Sequence, residues 1–205
     1  IVVDANKGPM PPPLAKPMLT AMKEMYGAQI EYINEADPKS IDAGRKVLST
    51  SKGDIPFTHA NIILPMRAPG LIRKAGLGER FAAIELPSFQ STKDKSIFVV
   101  GDAQGAPLPK SGHIAFGAGQ QVGEQILATI AGKYKEAGLG DVVTLPSAIC
   151  WGKVSTSMAI MINVNASVSV GDPPNVKYEV DPAANAASSK GAMEWGTNMW
   201  NAMLG

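Results

Sequence analysis

The sequence predicts an α/β fold that is followed by a small α+β module, and three observations support this prediction. Short β-branched runs, of which residues 1–4 are the first, alternate with helix-like segments as far as residue 140, which is typical of α/β domains. The apolar run at 97–100 has the character of a strand covered on both faces. Beyond Gly140 the strands alternate around polar residues, and a helix-like segment ends the sequence.

The first 80 residues show the alternation of strands and helices most clearly. Residues 1–4 predict a strand of a parallel sheet, since only the final Asp4 is polar. Residues 14–26 carry apolar side chains at helical spacing, and Gly27 stands where a helix cap is expected. Proline at position 65 ends an apolar run, which predicts a buried strand at 61–65. We predict further short strands at 29–33, 46–48 and 54–58, the last two paired, and a brief helix at 71–74.

The rest of the chain changes character at about residue 140. After the strand at 97–100, a helix is expected from about Ser111 to Ala131. Its predicted core-facing side is formed by Val122, Ile126 and Ile130, which recur at helical spacing. The segment after residue 140 predicts strands at 142–145, 148–153, 157–165 and 176–180 and a helix at 183–204.

Composition narrows the possible functions. The chain has 205 residues, with 19 Lys and Arg against 18 Asp and Glu, and no block of like charge. This near-equal balance of charges argues against a surface that binds nucleic acid. No apolar run reaches the ~20 residues that a membrane-spanning helix needs. The single cysteine, Cys150, has no partner for an internal disulfide, and the usual role of such a residue is that of a small buried hydrophobe.

Residues 97–112 carry most of the functional information. An apolar run ends at Gly101, Asp102 follows it directly, and the turn Pro109-Lys110-Ser111-Gly112 then leads into the predicted helix. Ligands of open α/β folds bind where strands end and helices begin, and a helix start favours a polar or anionic ligand. The segment therefore indicates half of a nucleotide-cofactor site, although Asp102 alone is equally consistent with a residue that caps a turn.

The beginning of the sequence lacks one feature of a complete dinucleotide fold. No G-x-G-x-x-G turn precedes the run that starts at Ile1. We therefore expect the chain to be the later part of a longer protein, which begins inside a sheet. Asp4 has the position of an acid that holds a ribose in such folds, but we assign it no role.

The pattern resembles a known family. Residues 89–92 (Phe-Gln-Ser-Thr) and 95–103 (Lys-Ser-Ile-Phe-Val-Val-Gly-Asp-Ala) resemble the second FAD-contact segment of the two-dinucleotide-fold disulfide oxidoreductases. The segment at 107–112 (Pro-Leu-Pro-Lys-Ser-Gly), the pair Cys150-Trp151 and a tryptophan-containing terminal helix are similar to the flavoprotein subunit of flavocytochrome c sulfide dehydrogenase. The resemblance covers essentially all 205 residues, which correspond to the C-terminal half of that subunit.

The resemblance implies a domain organisation and a set of flavin contacts. Residues 1–80 correspond to the remainder of an NAD-like dinucleotide-binding domain, 81–140 to the C-terminal part of the FAD-binding domain, and 141–205 to a small α+β interface-type domain. Asp102 is expected to bind the ribityl chain of FAD. Without a role at the flavin, Lys110 would be a solvated cation, and its position just before a helix start is electrostatically unfavourable for a positive charge. The implied cofactor-binding residues are Gly101, Asp102, Pro109, Lys110, Ser111 and Trp195.

The resemblance also gives Cys150 a catalytic role as the second of two redox cysteines. In that family sulfide attacks the disulfide, a persulfide forms, and the released thiolate passes electrons to FAD. The first cysteine would lie in the N-terminal half of the same flavoprotein. The implied substrate is a small inorganic sulfur compound, the implied acceptor is a c-type cytochrome subunit, and the implied compartment is the periplasm. Trp195 either packs the terminal helix or lines the flavin pocket.

Three alternatives remain open at this stage: a relative that reduces quinone at a membrane surface, a relative that uses NAD(P)H, and a chain that keeps the fold without catalysis. Quinone use predicts an apolar pocket and a membrane-binding terminal helix, but Lys190 is the only cation of that helix. No metal site is predicted, since His59 and His113 have no Asp, Glu or Cys at ligand spacing.

Overall fold

The computed structural model describes residues 1–204 and contains both helices and strands, which confirms the α/β character of the chain. Four helices and eight strands follow one another as β1 (Val2–Val3), α1 (Pro12–Tyr26), β2 (Tyr32–Ile33), β3 (Pro38–Asp42), β4 (Val47–Thr50), β5 (Gly53–Pro56), α2 (Gly70–Lys74), α3 (Gly112–Ile130), β6 (Val142–Lys153), β7 (Ala159–Ser169), β8 (Asn175–Val180) and α4 (Ala186–Leu204) among the described residues.

The chain forms two compact units. The first unit consists of Ile1–Leu64, Cys150–Ile162 and the segment from Tyr178 to the end of α4, and the second consists of Pro65–Ile149 and Asn163–Lys177. Strands β6, β7 and β8 form one three-stranded sheet in that order, and each strand contributes residues to both units. The three-domain division inferred from the resemblance stays a prediction.

A short parallel pair and a helix open the first unit. Val2 of β1 pairs with Tyr32 of β2, and α1 lies between these strands in the sequence. Pro12 suits the first turn of α1 because a helix start needs no donor there. The helix ends at Gly27, which has φ +52° and donates its backbone N–H to the Lys23 carbonyl oxygen. This confirms the predicted helix and its glycine cap.

The first unit also contains the sheet β3-β4-β5, which is antiparallel throughout. Leu48 of β4 pairs with Ile55 of β5, as the sequence predicted for these two runs. In strand β7, Ala159 and Ile160 are fully buried. Every second residue from Ile160 to Val168 is buried along the strand. This period of two explains why the strand was visible in the sequence.

The second unit has a small core of Ile72, Leu77, Ala82 and Val99. Helix α3 begins after Ser111 and buries Ile114, Ala118, Val122 and Gln125. The predicted core side of this helix was partly wrong, because Ile126 and Ile130 are exposed. The covered residues follow spacings of four, four and three from Ile114 to Gln125. At 3.6 residues per turn, a strict spacing of four drifts by about 40° per step, which brings Ile126 and Ile130 to the exposed flank of that face.

Two predicted strands are absent among the described residues. Residues 97–100 form only an isolated antiparallel bridge between Phe98 and Gln90, although Val99 is buried in the core. The predicted strand at 61–65 is extended chain without a pairing partner, and Ile63 is 90% exposed. Both runs are apolar enough for central strands, but each lacks neighbouring strands that would complete a sheet around it.

Among residues 1–204, no helix is both long enough and apolar enough to cross a membrane.

Candidate functional site

The predicted glycine–acid pair forms a tight turn in the second unit. Gly101, Asp102 and Ala103 make a single 3-10 turn, and Gly101 has φ +71°. This backbone conformation is costly for residues with a side chain, which accounts for the glycine. The Asp102 side chain is exposed, and its carboxylate makes no hydrogen bond within residues 1–204. Asp102 therefore presents a carboxylate that is available to a ligand and does not cap the turn.

Gln104, which follows this turn, is almost completely buried at 1% exposure. Its Oε1 accepts the Ala106 backbone N–H at 2.6 Å, so the side chain closes the turn at residues 104–106. Its Nε2 is buried and has no hydrogen-bonding partner among the described residues. Reversing the amide would point an N–H at the Ala106 donor, so the orientation is fixed by chemistry.

Lys110 lies against an aromatic ring and a backbone carbonyl. Its Nζ donates a hydrogen bond to the Gln104 carbonyl oxygen and lies 4.5 Å from the centroid of the Phe81 ring. Burial lowers the pKa of Lys110, and the negative charge of Asp102 partly opposes this effect. The ammonium is thus held in place beside the carboxylate instead of extending into solvent.

Ser111 forms the junction between this cluster and α3. It is the N-cap of the helix, and its Oγ accepts the Ile114 backbone N–H at 3.3 Å. The remaining N–H groups of the first turn and the helix dipole create positive potential at this end. Pro109, two residues earlier, is half-buried and restricts the backbone of the approach. The structure thus brings Gly101, Asp102, Pro109, Lys110 and Ser111 into one segment of the second unit.

His113, in the first turn of α3, has a partner that the sequence did not indicate. Its Nδ1 accepts the Ile149 backbone N–H at 3.1 Å. Since Nδ1 acts as an acceptor in this contact, the hydrogen-bond pattern assigns the ring N–H of the neutral imidazole to Nε2. Close packing accompanies the contact, since a Cβ at Gly117 would lie 3.0 Å from the Pro146 Cβ. No local sequence signal links residues that lie 36 positions apart.

The structure places Cys150 and Trp195 in the first unit. Cys150 is half-buried with a free thiol, and burial raises the pKa of that thiol. The Trp195 ring packs against Trp151, with ring centroids 5.5 Å apart and planes tilted by 50°. Such a tilted pair favours the packing interpretation of Trp195, because it gives the indole an aromatic partner within the unit.

A groove of ≈ 740 Å³ lies in the first unit, and none of the predicted site residues is among the residues that line it. Its lining is mainly apolar, and His59 and Asn61 are among its polar groups. No motif in the sequence indicates a function for this region. The side chains that form the walls include Val3, Leu48, Ile55, Phe57 and Ile62.

No group of three or more His, Cys, Asp or Glu side chains among residues 1–204 is arranged to hold a metal ion.

The chain is similar to known proteins in its fold but not in its sequence. No protein-family profile matches the chain, and no curated protein matches it. A chain in the cryo-EM structure of the Tetrahymena thermophila mitochondrial ATP synthase, an F1Fo composite tetramer, is similar with a TM-score of 0.57 and 14% sequence identity. The similarity covers 80% of this chain and 40% of that chain, so this chain spans less than half of that protein. At this identity the likeness concerns the fold alone.

Proposed function

We propose that this chain is part of a flavin-dependent oxidoreductase that oxidises sulfide to sulfur or polysulfide, similar to flavocytochrome c sulfide dehydrogenase. The observation that carries the proposal is the arrangement of charge at residues 101–111. An exposed carboxylate without a hydrogen bond in the described chain (Asp102) follows a glycine with positive φ, and a half-buried ammonium (Lys110) precedes the capped start of α3. The proposal includes Rossmann-like FAD- and NAD-type domains, of which this chain would hold the later parts.

The residues of this segment fit FAD in their chemistry. A ribityl chain offers hydroxyl donors, and the exposed Asp102 carboxylate accepts no hydrogen bond from any residue of the described chain. Lys110 and the N-terminus of α3 supply positive potential, which favours a ring that becomes negatively charged on reduction. When bound, FAD would supply a two-electron acceptor for sulfide oxidation. Gly101 would allow the backbone to turn without a side chain between the acid and the ligand.

In this proposal Cys150 acts in its disulfide form. Burial raises the pKa of its thiol, so the free thiol is mostly protonated near neutral pH and is a poor nucleophile. The nucleophile is instead hydrosulfide, which attacks one sulfur of a disulfide between Cys150 and a cysteine in another part of the protein. One S–S bond breaks and another forms, which leaves a persulfide on one cysteine and a thiolate on the other. A c-type cytochrome in the periplasm would be the final electron acceptor.

Visible spectroscopy of the full-length protein tests this proposal. The purified protein should show flavin absorption bands, and anaerobic sulfide should bleach them. Cys150→Ser should retain the flavin bands and lose the sulfide-dependent bleaching. A protein without flavin bands contradicts the cofactor assignment. Equal bleaching in the wild type and in Cys150→Ser removes Cys150 from the reaction.

A second candidate, reduction of quinone at a membrane surface, is favoured by two observations. Helix α4 exposes Met193, Trp200 and Met203, each of them at least 60% accessible. The apolar groove near His59 has a volume suitable for a small apolar ligand. This candidate predicts that the full-length protein cosediments with vesicles and reduces a short-chain quinone with sulfide faster than it reduces cytochrome c. Faster reduction of cytochrome c, without vesicle binding, supports the first candidate.

The NAD(P)H alternative is less consistent with the first unit. An acid at this strand end binds nicotinamide cofactors by accepting ribose hydroxyls. The Asp4 carboxylate already accepts hydrogen bonds from the Tyr32 hydroxyl and from the backbone and side-chain nitrogens of Asn6. A ribose would have to displace these partners.

A further inference from the structure

Lys110 is located where its charge is unfavourable, and yet it is held there. The residue directly precedes the N-cap of α3, at the positive end of the helix dipole. A lysine at such a site would ordinarily extend into solvent. Here the ammonium instead contacts the face of the Phe81 ring and donates to the Gln104 carbonyl oxygen. These two contacts oppose the helix dipole and keep the charge close to the backbone.

The Gln104 side chain fixes the carbonyl that Lys110 uses. Its Oε1 accepts the Ala106 N–H and closes the turn, and the backbone of residue 104 is bridged to Ala82. Gly105 is also constrained, since a Cβ there would lie 2.6 Å from the Ala82 carbonyl oxygen. The carbonyl oxygen of Gln104 therefore belongs to a turn that has little freedom to move.

Phe81 holds the ammonium from the other direction. The distance of 4.5 Å from Nζ to the ring centroid is within the range of a cation–π contact, which is stronger where the cation is partly desolvated. The Phe81 ring also contacts the Arg80 guanidinium at 5.3 Å. Arg80 is exposed, whereas Lys110 is half-buried, so the ring has its larger effect on Lys110.

We propose that Phe81 and Gln104 are positioning residues that hold the Lys110 ammonium beside the flavin-binding segment, where its charge raises the reduction potential of the flavin. This inference rests on the proposed function, because it requires a flavin at residues 101–111. Phe81 and Gln104 touch Lys110 and act through it. The effect is electrostatic: reduction makes the ring negative, and a nearby fixed cation favours that state.

Two measurements test the proposal, and the first needs no flavin. In the flavin-free protein, Lys110 should be modified slowly by an amine-reactive reagent, and Phe81→Leu should accelerate its modification severalfold, read by peptide mass spectrometry. Phe81→Tyr should restore the slow rate because it keeps the aromatic face. Lys93→Gln, which changes an exposed lysine of the same unit, should leave the rate at Lys110 unchanged.

The second measurement is the flavin reduction potential. Phe81→Leu and Lys110→Gln should each make reduction less favourable by about tenfold, which corresponds to about 30 mV for a two-electron couple. Phe81→Tyr and Lys93→Gln should match the wild type. Lys110→Gln leaves the Phe81 side chain itself unchanged, so it tests the electrostatic effect even if Phe81→Leu fails to fold.

Each alternative result has a distinct meaning. Unchanged modification of Lys110 in Phe81→Leu overturns the positioning role. Faster modification with an unchanged potential, or an unchanged potential in Lys110→Gln, overturns the electrostatic effect on the flavin. Absence of flavin from the wild-type protein overturns the proposed function first and this inference with it.

Discussion

Replacing Asp102 with alanine separates a ligand-binding carboxylate from one that stabilises the fold. The carboxylate is exposed and makes no hydrogen bond within residues 1–204, so its removal should change the free energy of unfolding by no more than about 0.5 kcal/mol. A hydrogen bond from a ribityl hydroxyl to this charged acceptor would contribute about 1.5–3 kcal/mol to binding. At 1.4 kcal/mol per factor of ten, Asp102→Ala should weaken FAD binding about 10- to 150-fold.

Two titrations measure these effects. Quenching of flavin fluorescence gives the FAD dissociation constant of the flavin-free protein, and urea unfolding gives its stability. Asp172→Ala is the matched control, because Asp172 is also exposed and its carboxylate accepts no hydrogen bond from the residues that the structure describes. Wild-type FAD affinity in Asp102→Ala refutes the assignment of this carboxylate. A loss of stability above ~1 kcal/mol shows instead that Asp102 caps the turn.

Three further predictions concern stability. Ser111→Ala removes the cap of α3 and should lower the free energy of unfolding by about 1 kcal/mol, whereas an undiminished value in urea excludes the cap. Gly105→Ala should lower the free energy of unfolding by about 1–3 kcal/mol, because the new Cβ would collide with backbone. Gly152→Ala should lower it by less, because the new Cβ would meet the flexible end of the Met18 side chain. Equal decreases in the two variants would contradict this distinction. Tyr32→Phe should destabilise the protein at neutral pH, and the difference from wild type should shrink as the pH falls below 3.8. Burial raises the pKa of the Asp4 carboxyl, but the hydrogen bonds from Tyr32 and Asn6 outweigh burial and bring the pKa below its ordinary value of 3.8. The stabilisation by these hydrogen bonds is therefore present above pH 3.8 and is lost as the carboxylate becomes protonated on acidification. A pH-independent difference between the two proteins, measured by urea unfolding, contradicts this origin.

Elements with a regular period were predictable from the sequence. Helix α1 was predicted at 14–26 and is observed at Pro12–Tyr26, because apolar spacing and the Gly27 cap are local signals. The pairing of β4 with β5 was also predicted, since both runs are short and adjacent. The strands predicted at 142–145 and 148–153 form the single strand β6, which continues through Pro146. Proline removes one donor, but it does not end a strand where that donor is unpaired.

Apolar runs without a period were predicted less well. Residues 97–100 and 61–65 have the composition of central strands, yet neither lies within a sheet. Composition reports how apolar a segment is, whereas strand formation also requires hydrogen-bonding neighbours on each side. Those neighbours are set by tertiary structure, and a single run carries no information about them.

The candidate site likewise contains residues that the sequence pattern indicated and contacts that it did not. Asp102, Lys110 and Ser111 were proposed as site residues from the sequence because they lie within one continuous segment whose pattern is typical of a strand, a turn and a helix, although residues 97–100 form no strand in the structure. The contacts of Phe81 with Lys110 and of His113 with Ile149 were not predicted, since they join residues that are 29 and 36 positions apart. The buried amide of Gln104 was also missed, because a glutamine in a loop ordinarily faces solvent.

The most direct test of the flavin proposal is an experimental structure of the full-length protein bound to FAD. We expect a ribityl hydroxyl within hydrogen-bond distance of the Asp102 carboxylate and the isoalloxazine ring beside Lys110 and the start of α3. FAD bound at a different part of the protein, with solvent at Asp102, would contradict it.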